Sequence, residues 1–302
     1  MSKIFVVGSI NVDYVMEISH LPQLGETLPG TSFLTNFGGK GANQAVALAK
    51  QEEDVYFIAN VGNDSIGQEA IENLNQYGVH TEFIQKIDNQ TTGAALILVE
   101  NHNNRILLHA GANQKMQQNQ ILEAFKLANP EDYLLVQLEI NMDMVYYAIQ
   151  EAKKRKMHVV MNPAPAQSIA DKILDLIDIL IVNEIECKML TGYDYTQENE
   201  LNAFLKNHSI SIFIVTLGEK GAHVFTLNNK YQFDAHLVHV KDTTAAGDTF
   251  IGAFLSEWIH SNDLKKSAQY AIIASALSCM TLGAQKSIKN RQEIQKYILT
   301  HL

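Results

Sequence analysis

The chain has 302 residues, of which 46% are hydrophobic and 19% are charged, and its formal net charge is −10 at pH 7. That size and apolar content suffice for one large domain with a sizeable core. The acidic balance argues against a nucleic-acid partner, which needs a basic face toward the phosphates, but it allows a nucleotide site with local donors. The N-terminal apolar run is too short for a signal peptide and no stretch has transmembrane length, so we expect a cytoplasmic protein with no membrane partner. Cys187 and Cys279 show no metal or disulfide pattern, and we expect both as small buried hydrophobes.

The N-terminal residues predict two strands with polar side chains between them. Residues 4–8 form a short apolar run that ends in glycine, which is typical of a buried strand. Asn11 and Asp13 follow directly, and residues 12–18 then alternate between apolar and polar side chains, as in a half-buried strand.

A second β-rich piece lies further along the chain. Two apolar runs, residues 92–99 and 105–109, flank a polar turn at residues 101–104. With the earlier alternating strand they predict a small antiparallel sheet, formed by about residues 12–37 and 91–110. A lid over a pocket explains this pattern as well as a plain surface hairpin does.

Between these pieces lies a glycine-rich turn that runs into a helix. Residues 37–45 read Phe-Gly-Gly-Lys-Gly-Ala-Asn-Gln-Ala, and the helix is predicted to continue through residue 50. Lys40 and Asn43 are three positions apart, so one helical face can present both. A cation and an amide beside such a turn suit hydroxyl groups or phosphate, whereas the alternative is an ordinary strand-to-helix turn.

From residue 55 onward, strand and helix patterns alternate. Short continuous apolar strands between amphipathic helices predict a mostly parallel sheet that is covered on both faces. The predicted strands are residues 55–61, 133–137, 158–162, 179–182 and 212–217. The predicted helices are residues 66–77, 119–128, 142–156 and 198–207.

Polar or glycine-containing segments follow four of these strands. Glu139, residues 162–166, the pair Asn183 and Glu186, and residues 216–221 each come directly after a strand. Ligands bind at the carboxyl ends of the strands in such sheets, so these segments predict one long cleft.

The segment of residues 242–250, Asp-Thr-Thr-Ala-Ala-Gly-Asp-Thr-Phe, predicts an anion site at a helix start. Small residues allow close backbone approach, and the first N–H groups of a helix are unpaired and carry partial positive charge. Asp248 falls on the first turn, where the helix dipole favours its ionised form. We interpret it as a base that takes a hydroxyl proton while the helix N–H groups hold a phosphoryl group. An ordinary helix start, at which Asp is common, is the alternative.

The C-terminal part contains a small-residue helix and a candidate cation loop. Residues 264–279 predict a well-packed helix, and a last helix from residue 290 is expected only to pack. Between them, the glycine-containing loop of residues 280–287 offers carbonyl oxygens of the kind that bind hard cations, but the sequence by itself gives this little support.

Two of these segments resemble the signatures of a known family. Residues 38–45 and residues 242–248, in this order and at this separation, are similar to the two signatures of the ribokinase-like family of sugar and nucleoside kinases. Asn183 and Glu186 resemble a third family motif, associated with phosphate and magnesium. The resemblance covers nearly the whole chain. It implies one α/β kinase domain over residues 1–302, a three-layer sandwich with a mostly parallel central sheet covered by helices, plus a small β-sheet lid.

The resemblance also implies a set of site residues. Asp248 would be the catalytic base. The sugar would contact Asn11, Asp13, Gly39, Lys40, Gly41, Ala42, Asn43, Glu139 and Asp248. The nucleotide would contact Asn183, Thr216, Leu217, Gly218, Glu219, Lys220, Gly221, Gly247 and Asp248, with an anion hole at Ala245, Ala246 and Gly247. An activating potassium ion would be held by Asp242, Thr244, Ser278, Thr281, Gly283 and Ser287. Asn183 and Glu186 would belong to the magnesium and phosphate network.

The activity implied is phosphoryl transfer from ATP, with Mg²⁺ and activating K⁺, to the 5-hydroxyl of D-ribose, by a homodimer joined through the lid. Short polar groups such as Asn11, Asp13, Asn43 and Glu139 suit a ring of hydroxyls. Another family kinase, acting on adenosine, fructose or a sugar phosphate, is one alternative. A non-catalytic sugar or nucleotide sensor on the same fold is the other, since fold does not fix activity.

Overall fold

A computed structural model describes residues 2–100 and 103–301. Within these residues the strands are β1 (Lys3–Val7), β2 (Asn11–Glu17), β3 (Ser32–Gly38), β4 (Asp54–Gly62), β5 (Ile84–Ile87), β6 (Gly93–Glu100), β7 (Asn103–His109), β8 (Tyr133–Val136), β9 (His158–Met161), β10 (Ile179–Asn183), β11 (Ile212–Thr216), β12 (Ala222–Thr226) and β13 (Lys230–Phe233). The α-helices are α1 (Lys40–Ala49), α2 (Ser65–Gln76), α3 (Gln118–Ala124), α4 (Met142–Lys154), α5 (Asp171–Leu174), α6 (Glu184–Thr191), α7 (Glu198–His208), α8 (Ala246–Ser261), α9 (Leu264–Ser278) and α10 (Arg291–His301).

Nine strands form the central sheet in the order β13-β12-β11-β10-β9-β8-β1-β4-β5. The seven strands from β11 to β5 in this order run parallel, and the hairpin of β12 and β13 adds two antiparallel strands at one edge. The predicted α/β sandwich with a mostly parallel sheet is therefore confirmed. Parallel strands of this kind are buried on both faces, which explains their continuous apolar sequences.

The two faces of the sheet carry separate apolar clusters. Ile4 and Val6 of β1 point into one cluster, with side chains of α1, α2, α8, α9 and α10. Phe5 and Val7 point into the other, with side chains of α3 to α7. This alternation follows from the period of two along a strand. Helices thus cover both faces and leave the ends of the strands open.

A second, four-stranded sheet has the order β3-β2-β6-β7. Here the structure differs from the sequence prediction, because β2 and β6 pair in parallel and only the outer pairs are antiparallel. Strand β3 was not predicted. In the predicted turn at 101–104, residues 101 and 102 lie outside the described residues, while Asn103 and Asn104 belong to β7.

Other elements that the sequence pattern did not predict are short. Strands β5, β12 and β13 have four or five residues, and α5 and α6 have four and eight. The predicted helix over 119–128 is α-helical only to Ala124 and continues as a 3-10 turn, Phe125–Leu127. Cys187 and Cys279 are free and buried, as expected. Among the described residues, no helix is both long and apolar enough to span a bilayer.

Candidate active site

The site lies at the carboxyl ends of the central strands, where the parallel topology brings separate segments together. An inner cavity of about 240 Å³ opens there. It is lined by Lys40, Asn162, Ala164, Ile181, Val182, Asn183, Glu186, Thr216, Thr243, Ala245, Ala246, Gly247, Asp248 and Ile251. Three of the four segments predicted to share one cleft therefore border this cavity, together with the start of α8, whereas Glu139 is not among its lining residues.

Asp248 is in the first turn of α8 and borders the inner cavity. It is 8% exposed, and each of its carboxylate oxygens accepts a hydrogen bond from an amide of α1. Asn43 Nδ2 donates to Oδ2 at 3.0 Å, and Gln44 Nε2 donates to Oδ1 at 2.9 Å. The carboxylate is thus held at the edge of the cavity and does not point into the packed interior.

The start of α8 supplies backbone donors for an anion. Ala245 precedes the helix in a left-handed conformation, with φ at 60°. Ala246 N–H donates to Thr243 O at 3.1 Å, so it is already paired. Among the described residues, the N–H groups of Ala245, Gly247 and Asp248 have no partner. These three are therefore the donors available to a phosphoryl group.

Several charged side chains lie close to Asp248 and influence one another's pKa. Burial, followed by the negative charges of Glu139 and Asp248, raises the pKa of Asp13 to about 7. Burial opposes the charge on Lys40, but the negative charges of Asp248, Glu139 and Glu186 together outweigh it and raise the pKa of Lys40. Lys40 is therefore a fixed cation near three carboxylates, those of Asp248, Glu139 and Glu186.

Glu139 is held by two donors from the N-terminal segments. Its Oε2 accepts from Ser9 Oγ at 2.5 Å and from Lys40 N–H at 2.9 Å. Ser9 is fully buried directly after β1 and Gly8. The sequence analysis missed Ser9, because a serine at a strand exit is not distinctive until its partner 130 positions away is known.

Asn11 is fixed in a similar way. Asn113 Nδ2 donates to Asn11 Oδ1 at 2.8 Å, and Asn113 also bonds the backbone N–H and carbonyl of Ile10. Gly39 approaches the same backbone with φ at 90°, and a Cβ there would lie 2.7 Å from Asn11 N. Only glycine fits such a position. Asn113 was also missed by the sequence analysis.

Two predicted sugar contacts of the glycine-rich turn are placed for packing. Ala42 is buried in the core cluster beneath the turn, and its N–H donates to Ser9 O at 3.0 Å. Gly41 packs so closely that a Cβ would lie 2.6 Å from Ser9 N. Both residues hold the turn against the exit of β1, and neither borders the inner cavity.

An outer cavity of about 600 Å³ adjoins the inner one, and the two share Thr216, Thr243, Ala246 and Gly247. Its lining is otherwise mainly apolar: Gly218, Glu219, Gly221, Ala235, His236, Leu237, Val238, Val240, Phe250, Ile272, Ser275, Ala276 and Cys279. Two further residues predicted to contact the nucleotide do not line this cavity: Leu217 packs in the core, and Lys220 Nζ lies 3.8 Å from Glu184 Oε1 in an ion pair. The segment of residues 235–240 was not predicted to take part.

Asn183 and Glu186 form a capping box at the start of α6. Asn183 Oδ1 accepts from Glu186 N–H at 2.8 Å, and Glu186 Oε2 accepts from Asn183 N–H at 2.9 Å. Both residues also line the inner cavity. Burial raises the pKa of Glu186, partly offset by the bond to Asn183 and the charge of Lys40. The cap thus holds one carboxylate at the cavity wall.

The predicted potassium residues lie on two segments that Asp242 joins. Asp242 Oδ1 accepts from Thr244 N–H and Oγ1, and its Oδ2 accepts from Gly283 N–H at 2.8 Å. These bonds lower the pKa of Asp242 against the effect of burial, so it is anionic. Ser278 Oγ donates to Ser275 O, Ser287 Oγ donates to Ala284 O, and Thr281 Oγ1 faces the Lys289 ammonium at 3.4 Å. A hydroxyl that donates its hydrogen keeps oxygen lone pairs, so these side chains, Asp242 and the nearby main-chain oxygens all stay predicted ligands of a monovalent cation. The described residues contain no cluster of three or more acidic, His or Cys side chains that could hold a metal ion.

Comparison of the sequence and the fold with those of known proteins shows the family of this chain. The family model of the pfkB family carbohydrate kinases matches residues 1–291, and the chain belongs to this family. It is 37% identical to a ribokinase of Haemophilus influenzae, over 97% of each chain, and 34% identical to a deoxyribokinase of Salmonella typhi, over 98% of each chain. The structure of Arabidopsis thaliana ribokinase complexed with ribose and ATP superposes with a TM-score of 0.89 at 32% identity, covering 98% of each chain. The chain is thus a carbohydrate kinase of the ribokinase fold.

Proposed function

We propose that this protein is an ATP-dependent ribokinase, which transfers the γ-phosphate of ATP to the 5-hydroxyl of D-ribose. The observation that carries the proposal is the position of Asp248, a carboxylate on the first turn of α8 beside unpaired N–H groups, in a chain similar to ribokinases over its whole length. A sensor without catalysis would not need a carboxylate at the anion site.

Asp248 orients the primary hydroxyl of the sugar and takes its proton as the hydroxyl oxygen attacks the γ-phosphorus atom of ATP. The bond from that phosphorus atom to the oxygen bridging to the β-phosphate breaks, and ADP leaves. Phosphoryl transfer demands mainly positioning and charge stabilisation from the protein. The N–H groups of Ala245, Gly247 and Asp248 stabilise the negative charge on the transferred group, and Lys40 adds a fixed positive charge. Asn11, Asp13, Asn43 and Glu139 accept or donate hydrogen bonds to the other hydroxyls.

The nucleotide extends from the inner cavity into the adjoining outer cavity. Its phosphates lie in the inner cavity along Thr243 to Asp248, and its base and ribose lie in the apolar outer cavity, between residues 235–240 and α9. A planar base gains most from an apolar slot of this kind. Mg²⁺, when bound, neutralises phosphate charge, and Glu186 with Asn183 is the group that would help hold it through water or phosphate oxygens. An ATP-dependent enzyme of this kind is expected in the cytoplasm.

A potassium ion bound by the loop of residues 278–287 would lie next to the segment that leads into the start of α8 and would stabilise it. Asp242 already ties this loop to Thr244, three residues before Gly247. A cation there would reduce the mobility of the helix start. We therefore expect activation by K⁺, with Asp242, Gly283 and neighbouring carbonyls as its ligands.

The lid offers a surface for a homodimer. Six large apolar side chains of its strands are exposed: Phe33, Leu34, Leu96, Ile106, Leu107 and Leu108. Exposed apolar patches of this size on a soluble enzyme mark interaction sites. A second copy of the same lid would cover them, and this supports a dimer formed through β2, β3, β6 and β7.

The experiment that tests the proposal is a coupled assay of ADP release with ATP and a panel of acceptors: D-ribose, 2-deoxy-D-ribose, D-fructose and adenosine, each with and without K⁺. 2-Deoxy-D-ribose is the second candidate acceptor, because a deoxyribokinase is nearly as similar as the ribokinases are. The highest kcat/KM with D-ribose is expected. A preference for another acceptor would reassign the substrate, and turnover with none of them would favour the sensor.

A further inference from the structure

We infer that Gln44 is a positioning residue for Asp248, which fixes the orientation of the proposed base although it does not border the inner cavity. This inference rests on the proposed function. It starts from the hydrogen bond of 2.9 Å from Gln44 Nε2 to Asp248 Oδ1, between residues 204 positions apart. Gln44 is fully buried on α1, immediately after the proposed sugar ligand Asn43.

The orientation of the Gln44 amide is itself fixed. Its Oε1 accepts from Gln137 Nε2 at 2.6 Å, and its Nε2 also donates to Asn162 Oδ1 at 3.2 Å. Asn162 in turn donates through Nδ2 to Ile181 O at 2.9 Å. Both N–H groups of Gln44 are thus used, and only the nitrogen can face the carboxylate. A rotated amide would place its oxygen against two acceptors.

The backbone makes room for this chain of amides. A Cβ at Gly8 would overlap the side chain of Gln137, so glycine at the exit of β1 allows Gln137 to reach Gln44. Burying three amides is costly unless they bond each other, and their mutual hydrogen bonds make the network rigid. Among the described residues, Gln137 Oε1 is the one side-chain atom of these three amides that is buried without a partner. The network therefore connects the exits of β8 and β9 with the start of α8.

Gln44 and Asn43 each donate a hydrogen bond to Asp248, Gln44 to Oδ1 and Asn43 to Oδ2. Two amide donors on the two oxygens fix the plane of the carboxylate and direct the remaining lone pairs toward the cavity. Amides donate hydrogen bonds but do not take up protons at neutral pH, so they cannot compete with Asp248 for the proton of the sugar. The charged groups coupled to Asp248 are Lys40, Asp13 and Glu186, and Gln44 is an uncharged contact among them.

The test uses two substitutions of similar volume and one matched control in the full-length protein. Gln44→Met removes the donor, and we expect kcat with ribose and ATP to fall about 10- to 100-fold, while KM for either substrate changes less than about threefold. Gln44→Glu places a second carboxylate against Asp248, and because like charges at this distance retain a shared proton, the acid limb of the kcat profile should move up by one pH unit or more. Gln137→Met removes a network member that does not touch Asp248 and should have the smaller effect on kcat.

The outcomes separate this inference from the proposed function. A loss of activity in Asp248→Asn together with wild-type kcat and an unchanged pH profile in both Gln44 variants would overturn the role of Gln44 alone. Near-normal activity in Asp248→Asn would overturn the base itself. If Gln44→Met does not fold, the pH profile of Gln44→Glu decides: a shifted acid limb supports the inference, and an unshifted one contradicts it.

Discussion

The Asn43 amide lies 3.0 Å from a carboxylate oxygen of Asp248, although 205 positions separate the two residues. This bond joins the glycine-rich turn at the start of α1 to the start of α8. The same helices pack on one face of the central sheet, so the contact is supported by a common core. It joins the amide that we propose contacts the sugar to the carboxylate that we propose as the base, which is an arrangement suited to attack by a hydroxyl on a phosphate.

Asp13 should make sugar capture depend on pH near neutrality. Its pKa is raised to about 7 by burial and by Glu139 and Asp248, and only its ionised form accepts hydrogen bonds from the sugar at both oxygens. We expect kcat/KM for ribose to fall below pH 7, since this parameter reports groups of the free enzyme. In Asp13→Asn, kcat/KM should be lower throughout and that acid limb should be absent. A limb that persists in the variant would assign it to another group.

The same pKa predicts a change in stability. Between pH 3.8, the ordinary pKa of an aspartate, and about pH 7, the folded protein binds more protons at Asp13 than the unfolded chain does. The contribution of this group to the free energy of unfolding therefore decreases as pH rises through that window. Urea titrations should show a smaller decrease for Asp13→Asn than for wild type. Glu17→Gln, which changes an exposed carboxylate of the same strand, is the matched control and should behave like wild type.

Ser9→Ala should weaken sugar binding, although Ser9 acts only through its hydrogen bond to Glu139. The variant removes one of the two donors to Glu139 Oε2, and a hydrogen bond to a charged group contributes about 1.5–3 kcal/mol. We expect kcat/KM for ribose to fall about tenfold or more, with KM for ATP unchanged. An equal rise of KM for both substrates would show general distortion of the turn.

Sugar binding should order the lid. We expect slower backbone hydrogen exchange in β2, β6 and β7 when ribose is present at saturation. Asn11 and Asp13, which we propose contact the sugar, lie at the start of β2, and β6 pairs with β2 along its whole length. Strand β9, in the buried sheet, should show no change. Equal exchange of the lid with and without ribose would contradict a lid that closes on the sugar.

Charge on the lid should separate the proposed dimer into monomers. Leu96 pairs with Leu107 and Ile97 with Ile106 across β6 and β7, so adjacent residues present opposite faces. Ile106→Lys/Leu107→Lys therefore places a charge on each face, and sedimentation should report a monomer. Leu299→Lys, at an exposed position of α10, is the control and should remain dimeric. A dimer in the lid variant would place the interface elsewhere.

The sequence predicted the central sheet well because buried parallel strands are continuous apolar runs between amphipathic helices. It did not predict β3 or β13, whose residues are mostly exposed or half-buried, or β12, which is largely buried but has only five residues. The glycine-rich turn and the anion segment were recognisable because glycine and a helix start carry local signals. Ser9, Gln44, Asn113 and Gln137 were not assigned roles, because a buried amide or hydroxyl acquires its meaning only from partners far away in the sequence.

The central claim is that Asp248 is the base of an ATP-dependent ribokinase, and turnover of Asp248→Asn with D-ribose and ATP tests it most directly. Asn keeps the size of the side chain, so melting temperature and circular dichroism should match wild type. We expect wild-type turnover that depends on ribose and a fall of roughly 10²–10⁴-fold in kcat for the variant, the usual contribution of a general base. A folded Asp248→Asn enzyme with near wild-type kcat would contradict the account.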